Sequence, residues 1–231
     1  VRDSYATGER VAAMVVAALF GVGLGGGMQA AYVSLVDLGS GDIVWDGAVN
    51  GAFQLVANST GTTFFNGPVG NLTPLASVST SAGGTTRING GSVATSGDQI
   101  FGDDVVLGAN TTLSSAAGVV TFLGTVTGNG KSLEIDGDAV FGDAAGDTVT
   151  GLASLLVTGT TTINTSTVTS TGPQTYTGDV TIGAPAGLAT LTTIDSLVLF
   201  ESNVDLLADL TVSAGAGNVT FTHLVNGGHD L

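Results

Sequence analysis

Two stretches, Thr86-Arg87-Ile88-Asn89 and Thr161-Thr162-Ile163-Asn164, stand 75 residues apart and open a series that stays in phase without a gap. At the same shift Val93 meets Val168, Gln99 meets Gln174, Phe101 meets Tyr176, Val105 meets Val180 and Gly108 meets Gly183. Chance gives one or two such matches, but not an in-phase series that keeps both apolar positions and a glycine. A second unit occurs three times: Gly41-Asp42-Ile43-Val44-Trp45, Gly118-Val119-Val120-Thr121-Phe122 and Gly217-Asn218-Val219-Thr220-Phe221. Each leads to a valine (Val49, Val126, Val225) and then a glycine (Gly51, Gly128, Gly227). The copies lie 77 and then 99 residues apart, so the long repeat tolerates insertions, as loops on stacked repeats do.

Between these landmarks run short strand-like segments, such as Phe53–Ala57, Ser132–Ile135, Leu155–Thr158 and Leu210–Val212. Each is bounded by Gly, Asn, Asp or Ser, the residues that make turns. Helical spacing is not sustained after residue 40. Short strands fit a sandwich or a solenoid, and the long offset repeat favours the solenoid. The expected fold is therefore all-β: a right-handed parallel β-helix (β-solenoid) in which each coil buries its apolar face only by stacking on its neighbours. At roughly 20–25 residues per coil, the stretch from Asp42 onward makes on the order of eight or nine coils and a rod about 40 Å long. The repeats predict equivalent places for Trp45, Phe122 and Phe221, and for Phe101 and Tyr176, with Trp45 and Phe122 buried.

Composition agrees. Of 231 residues 43% are hydrophobic and only 10% are charged, which is too apolar for a disordered chain. The 37 glycines do not recur at every third residue, which excludes collagen. The 19 acidic residues against 4 basic ones leave a formal charge of −15, and Arg2, Arg10, Arg87 and Lys131 are too scattered for a basic patch. Nucleic acid is excluded as a partner on that ground. An acidic surface suits a protein that stays soluble outside a cell. With no cysteine there is neither disulfide nor thiolate chemistry.

Residues 1–40 form an apolar N-terminal segment distinct from the repeat domain of residues 41–231. From Val11 to Val36 there is no charge. Three readings remain open: a secretion signal preceded by Arg2 and Arg10, a membrane helix with Gly21 and Gly25 as a GxxxG pair, or a loose lead-in to the first coil. At the other end, Gly227 is followed only by Gly228-His229-Asp230-Leu231, with no polar cap. The chain therefore reads as a piece of a longer array, and an uncapped coil implies end-to-end self-association.

The units at 41–51 (Gly-Asp-Ile-Val-Trp-Asp-Gly-Ala-Val-Asn-Gly), 157–164 (Val-Thr-Gly-Thr-Thr-Thr-Ile-Asn) and 174–180 (Gln-Thr-Tyr-Thr-Gly-Asp-Val) resemble the repeats of filamentous-haemagglutinin-like exoproteins and related large bacterial adhesins. The resemblance spans residues 41–231. It implies a secreted or cell-surface rod that meets a surface glycan or protein of a host or neighbouring cell. Membrane contact is implied only through an export partner or the N-terminal segment. The family's secretion domain is not among these residues, and no functional residue is carried over.

No catalytic, cofactor or metal residue is assigned, and the chain is not expected to be an enzyme. The densest acidic cluster, Asp136, Asp138, Asp143 and Asp147, has one nearby cation, Lys131, and reads as solvated turns before weak Ca²⁺ binding or polysaccharide cleavage. His223 and His229, six apart, lack the spacing of a helical zinc pair. Five sequons, at Asn58, Asn71, Asn110, Asn164 and Asn218, match the N-glycosylation pattern, and chance explains most of them in so Asn-, Thr- and Ser-rich a chain. The sharpest outward feature is Thr160–Thr171. Strand alternation places Thr161, Thr165, Thr167, Thr169 and Thr171 on one face, interrupted by Ile163. Two functions follow: a structural, adhesive module, or a ligand-binding solenoid that meets ice or carbohydrate through an outward Thr/Ser/Asn face. A regular Thr array in the folded protein would favour the second.

Overall fold

The computed structural model describes residues 33–231. Their 24 strands pair only in parallel, as a β-solenoid requires. Each coil has three strand positions, here called sides 1, 2 and 3 in chain order. Val36, Ala57, Thr80, Phe101, Phe122, Phe141, Ile163, Ile182, Leu206 and Gly227 lie in register on side 1, and define about nine turns. Side 2 is a nine-stranded sheet of its own. Sides 1 and 3 share a fifteen-stranded sheet, because the strands Thr111–Phe122 and Leu133–Phe141 run through the corner between them. The first strand, Val33–Asp37, already pairs with Gln54–Asn58, so the stack includes residues before position 41. The signal, membrane and lead-in readings fall mainly on residues 1–32, outside the described residues.

Alternation dictates what goes inside. Nearly every short strand buries every second residue, as in Ile43–Trp45, Ser92–Thr95 and Val180–Ile182. Parallel stacking then puts like on like. Trp45 lies on Phe65 with ring centroids 5.0 Å apart, and Phe122 is sandwiched between Phe101 and Phe141 at 5.4 Å on each side. Tyr176, Phe200 and Phe221 form another ladder. Trp45 and Phe122 are buried, as expected.

Their equivalence does not hold. Trp45 is on side 2, Phe122 on side 1 and Phe221 on side 3. Phe101 and Tyr176 likewise occupy sides 1 and 3. The 75-residue shift carries every matched residue forward by three coils and two further sides, which moves Ile88 from side 2 to Ile163 on side 1. What it preserves is a corner. Gln99 Nε2 donates to the Val93 carbonyl at 3.1 Å, and Gln174 Nε2 donates to Val168 at 3.3 Å. The Thr95 hydroxyl donates to Gly97 O, as Ser170 does to Gly172 O. One corner joins sides 3 and 1 and the other joins sides 2 and 3. The same local chemistry serves both, because each side is an equivalent strand feeding an equivalent bend.

Glycine lets the corners close-pack. In the columns Gly41–Gly61–Gly84, Gly47–Gly67–Gly90 and Gly137–Gly159–Gly178, an added Cβ would come within 2.1–2.9 Å of the carbonyl oxygen of the coil before. Between coils, aspartate and asparagine act as staples. Nine of them, Asp42, Asn50, Asp98, Asp104, Asn110, Asp138, Asp179, Asp195 and Asp209, each accept a backbone N–H from the following coil, at 2.7–3.1 Å. Much of the acidity thus satisfies N–H groups that a bend leaves out of the ladder.

Candidate ligand-binding face

Thr160–Thr171 is not one extended segment. The chain turns a corner after Thr161–Ile163, and the bend resets the alternation. Thr161 and Thr165 therefore face inward and are fully buried, their hydroxyls without a partner. Thr167 and Thr169 point outward from side 2, and Thr171 lies exposed beyond the strand. The expected five-threonine row is thus corrected: it divides between core and surface.

A different array takes its place, running across coils instead of along the chain. On side 2 the motif Thr-x-Thr recurs as Thr125-Val126-Thr127, Thr148-Val149-Thr150, Thr167-Val168-Thr169 and Thr190-Leu191-Thr192, and closes as Thr211-Val212-Ser213. Thr148, Thr167, Thr190 and Thr211 are successive partners in one row. In the other, Thr127 pairs with Thr150, and Thr169 with Thr192 and then Ser213. Between Val149 and Leu152 the register shifts, and there the Gly151 N–H donates to the Thr169 hydroxyl at 3.1 Å. The middle residues Val126, Val149, Val168 and Leu191 are buried and pin their flanking threonines outward. Neighbouring rungs are about 4.8 Å apart and the two rows roughly 6.6 Å apart.

Apart from Thr169, none of these hydroxyls makes a hydrogen bond among the described residues, whereas the corner residues Thr158, Thr160 and Thr222 use theirs on backbone or carboxylate groups. The other sides carry no such series. Side 1 shows outward Ile100, Thr121, Val140, Thr162, Thr181 and Asp205, and side 3 shows Thr112, Glu134, Leu156, Thr175 and Leu199. The charged residues in the two side 2 rows, Asp104 and Arg87, fall in coils before the array.

The four acidic candidates do not converge. Asp138 accepts the Thr160 N–H and hydroxyl, Asp136 the Thr158 hydroxyl, and Asp147 the N–H groups of Asp143 and Ala144. A shallow groove of about 400 Å³ lies beside the irregular corner at Ser115–Val119, with Asp98 and Asp138 on its rim, and both carboxylates there bond the next coil. His223 contacts the Thr222 hydroxyl, and His229 contacts Asp209. Among the described residues no three metal-ligating side chains cluster.

Among the described residues, three groups shift from their ordinary pKa. Burial pushes Asp103 above the ordinary carboxylate range, opposed by the Gly84 N–H and the Thr86 hydroxyl, while neighbouring Asp104 adds to the rise. Burial also raises the Tyr176 phenol. The Ser202 hydroxyl, followed by the Asn203 N–H, holds Asp179 low. None lies on the threonine face.

The fold and this face define a parallel β-solenoid with a Thr-x-Thr array on one side. No family model, curated protein or solved structure matches the chain.

Proposed function

We propose that this chain is a structural, adhesive module of a secreted or cell-surface exoprotein of the filamentous-haemagglutinin-like kind, and that it is non-catalytic. The observation that carries this reading is continuity. One hydrophobic core runs from Val36 to Ala214 through about nine coils. Such a stack is a stiff spacer that presents long outward faces. The carboxylates nearest to an enzymatic arrangement, Asp136 and Asp138, are engaged by threonines of the next coil. The partner would be a glycan or protein of a neighbouring cell surface.

Display of the chain on a non-adherent bacterium tests this. Adhesion to cell monolayers above that of a display control is expected. Turnover of a polysaccharide by the purified chain, lost in Asp136→Asn or Asp138→Asn, would overturn the non-catalytic reading, and adhesion no better than the control would overturn the adhesive one.

A second reading, a ligand-binding solenoid, is favoured by the Thr-x-Thr array. Apart from the bulge at Gly151 and the Thr169 hydroxyl bonded there, its hydroxyls are repeated in register and free to bond outward.

A further inference from the structure

We infer that the Thr-x-Thr face of side 2 binds the surface of crystalline water, ice. The inference rests on the ligand-binding reading, deepens it by naming the ligand, and is independent of the adhesive one.

The face is uniform where the protein is otherwise mixed. Successive motifs begin at residues 125, 148, 167, 190 and 211, so the intervening coils range from 19 to 23 residues. Most of the differences in length are absorbed at the corners and one at the bulge by Gly151, while Thr148, Thr167, Thr190 and Thr211 stay in register. Sides 1 and 3 of the same coils serve as an internal control, because the same parallel stacking there mixes Thr121, Thr162, Thr175 and Thr181 with Val140, Leu156, Leu199, Glu134 and Asp205.

The chemistry of the face narrows the ligand. A charged ligand finds no counter-charge on the array. A protein partner would be anchored by aromatic or arginine hot spots, and a small sugar by a concave pocket; the array presents neither, since Phe64 and Arg87 of the same row lie in earlier coils. What it does present is a two-dimensional lattice of hydroxyl and methyl groups. The rung spacing is fixed by the backbone hydrogen bonds, and Thr is stiff at χ1, so little freedom is left to lose on binding. Each hydroxyl can both donate and accept, as water does. A ligand that gains from many weak, regularly spaced bonds, and needs no single strong one, is itself a lattice. Ice is the lattice of matching chemistry, and its prism faces repeat over distances of the same order as the rung and row spacings. The methyls between the hydroxyls hold the intervening water away from bulk-like arrangements.

The probe is ice itself: inhibition of ice recrystallisation, and capture of the full chain into a slowly grown ice hemisphere. The unaltered chain is expected to score in both. The pair Thr167→Lys/Thr190→Lys, on adjacent rungs of side 2, should need about tenfold more protein for equal inhibition, since each ammonium must be desolvated or hold the lattice off. The matched pair Thr162→Lys/Thr181→Lys, adjacent rungs of side 1, should leave inhibition unchanged. Circular dichroism checks both folds. If the side 2 lysine pair does not fold, Thr167→Ser/Thr190→Ser, which removes only the methyls, should lower inhibition in the same direction. Absence of ice activity in the unaltered chain, or equal loss from the side 1 and side 2 pairs, overturns the inference. Retention on an insoluble polysaccharide that depends on Thr167 and Thr190, without ice activity, would overturn ice and leave the ligand-binding reading standing.

Discussion

Replacing Phe122 by alanine probes the central ladder. The ring is fully buried and faces Phe101 on one side and Phe141 on the other, at 5.4 Å each and nearly parallel. A core Phe→Ala change costs about 3–5 kcal/mol, and each aromatic pair is worth about 0.5–1.5 kcal/mol beyond its area. Phe122 lies in two such pairs, whereas Phe101 has only one, because its other neighbour in register is Thr80. Phe122→Ala should therefore cost about 4 kcal/mol, and exceed Phe101→Ala by about one pair energy. Phe221, half-buried and stacked on Phe200 alone, should cost roughly 1–2 kcal/mol. Urea denaturation followed by two probes measures this: Trp45 fluorescence reports the early coils and far-ultraviolet circular dichroism reports the whole stack. Coincident transitions license a single free energy. A loss below roughly 1 kcal/mol for Phe122→Ala, or a larger loss for Phe101→Ala, would refute the sandwich as a source of stability.

Asp103→Asn should stabilise the protein near neutral pH and do nothing in acid. Its folded pKa lies above its unfolded one, so its contribution is fullest below the unfolded carboxylate range and declines as pH rises through the folded value; thermal melts at both ends of that range read the difference. Asp138→Ala should cost about 1 kcal/mol, as loss of a side-chain cap on backbone N–H does, and Asp138→Asn should recover most of it in the same denaturation series. Gly90→Ala should cost more than 1–2 kcal/mol, since its Cβ would sit 2.1 Å from the Gly67 carbonyl oxygen and the coils would have to part. Unchanged stability of Gly90→Ala by calorimetry would mean that the corners are looser than described.

The fold class was legible from local chemistry. Alternation in segments such as Leu155–Val157, the glycine and Asx turns, and the in-phase series from Thr86 to Gly108 all belong to a parallel stack. The azimuth was not. All three sides are built from a buried-out-buried strand and a polar bend, so a match of sequence reports an equivalent side, not the same side. That is why Val93 and Val168 align in sequence yet sit on sides 3 and 2. The same property hid the candidate face. Thr148, Thr167 and Thr190 are neighbours in space only because each coil closes at its own length, whereas Thr161 and Thr167, close in sequence, are separated by a corner that turns one inward. The first strand, Val33–Asp37, begins inside the charge-free run ending at Val36, and its exposed carboxylate, Asp37, comes only at its last position.

The nine Asx staples share one direction: the oxygen always belongs to the earlier coil and the N–H to the later one. Asp103, which reaches back to Gly84, is the counter-example among the carboxylates. Where staples cross a boundary between coils, a cut there leaves their oxygens on the earlier face, a socket, and their N–H partners on the later face, a plug, beside ladder groups of both kinds on each. Two sockets brought together would oppose carboxylate to carboxylate in a protein of net charge −15, while plug into socket restores the native bonds. Contact between such surfaces would be heterologous by construction, and stacked along the rod axis a heterologous contact has no rotation that closes it into a ring. A rod lengthened through such contacts would grow with a heading, like a zip fastener that runs one way.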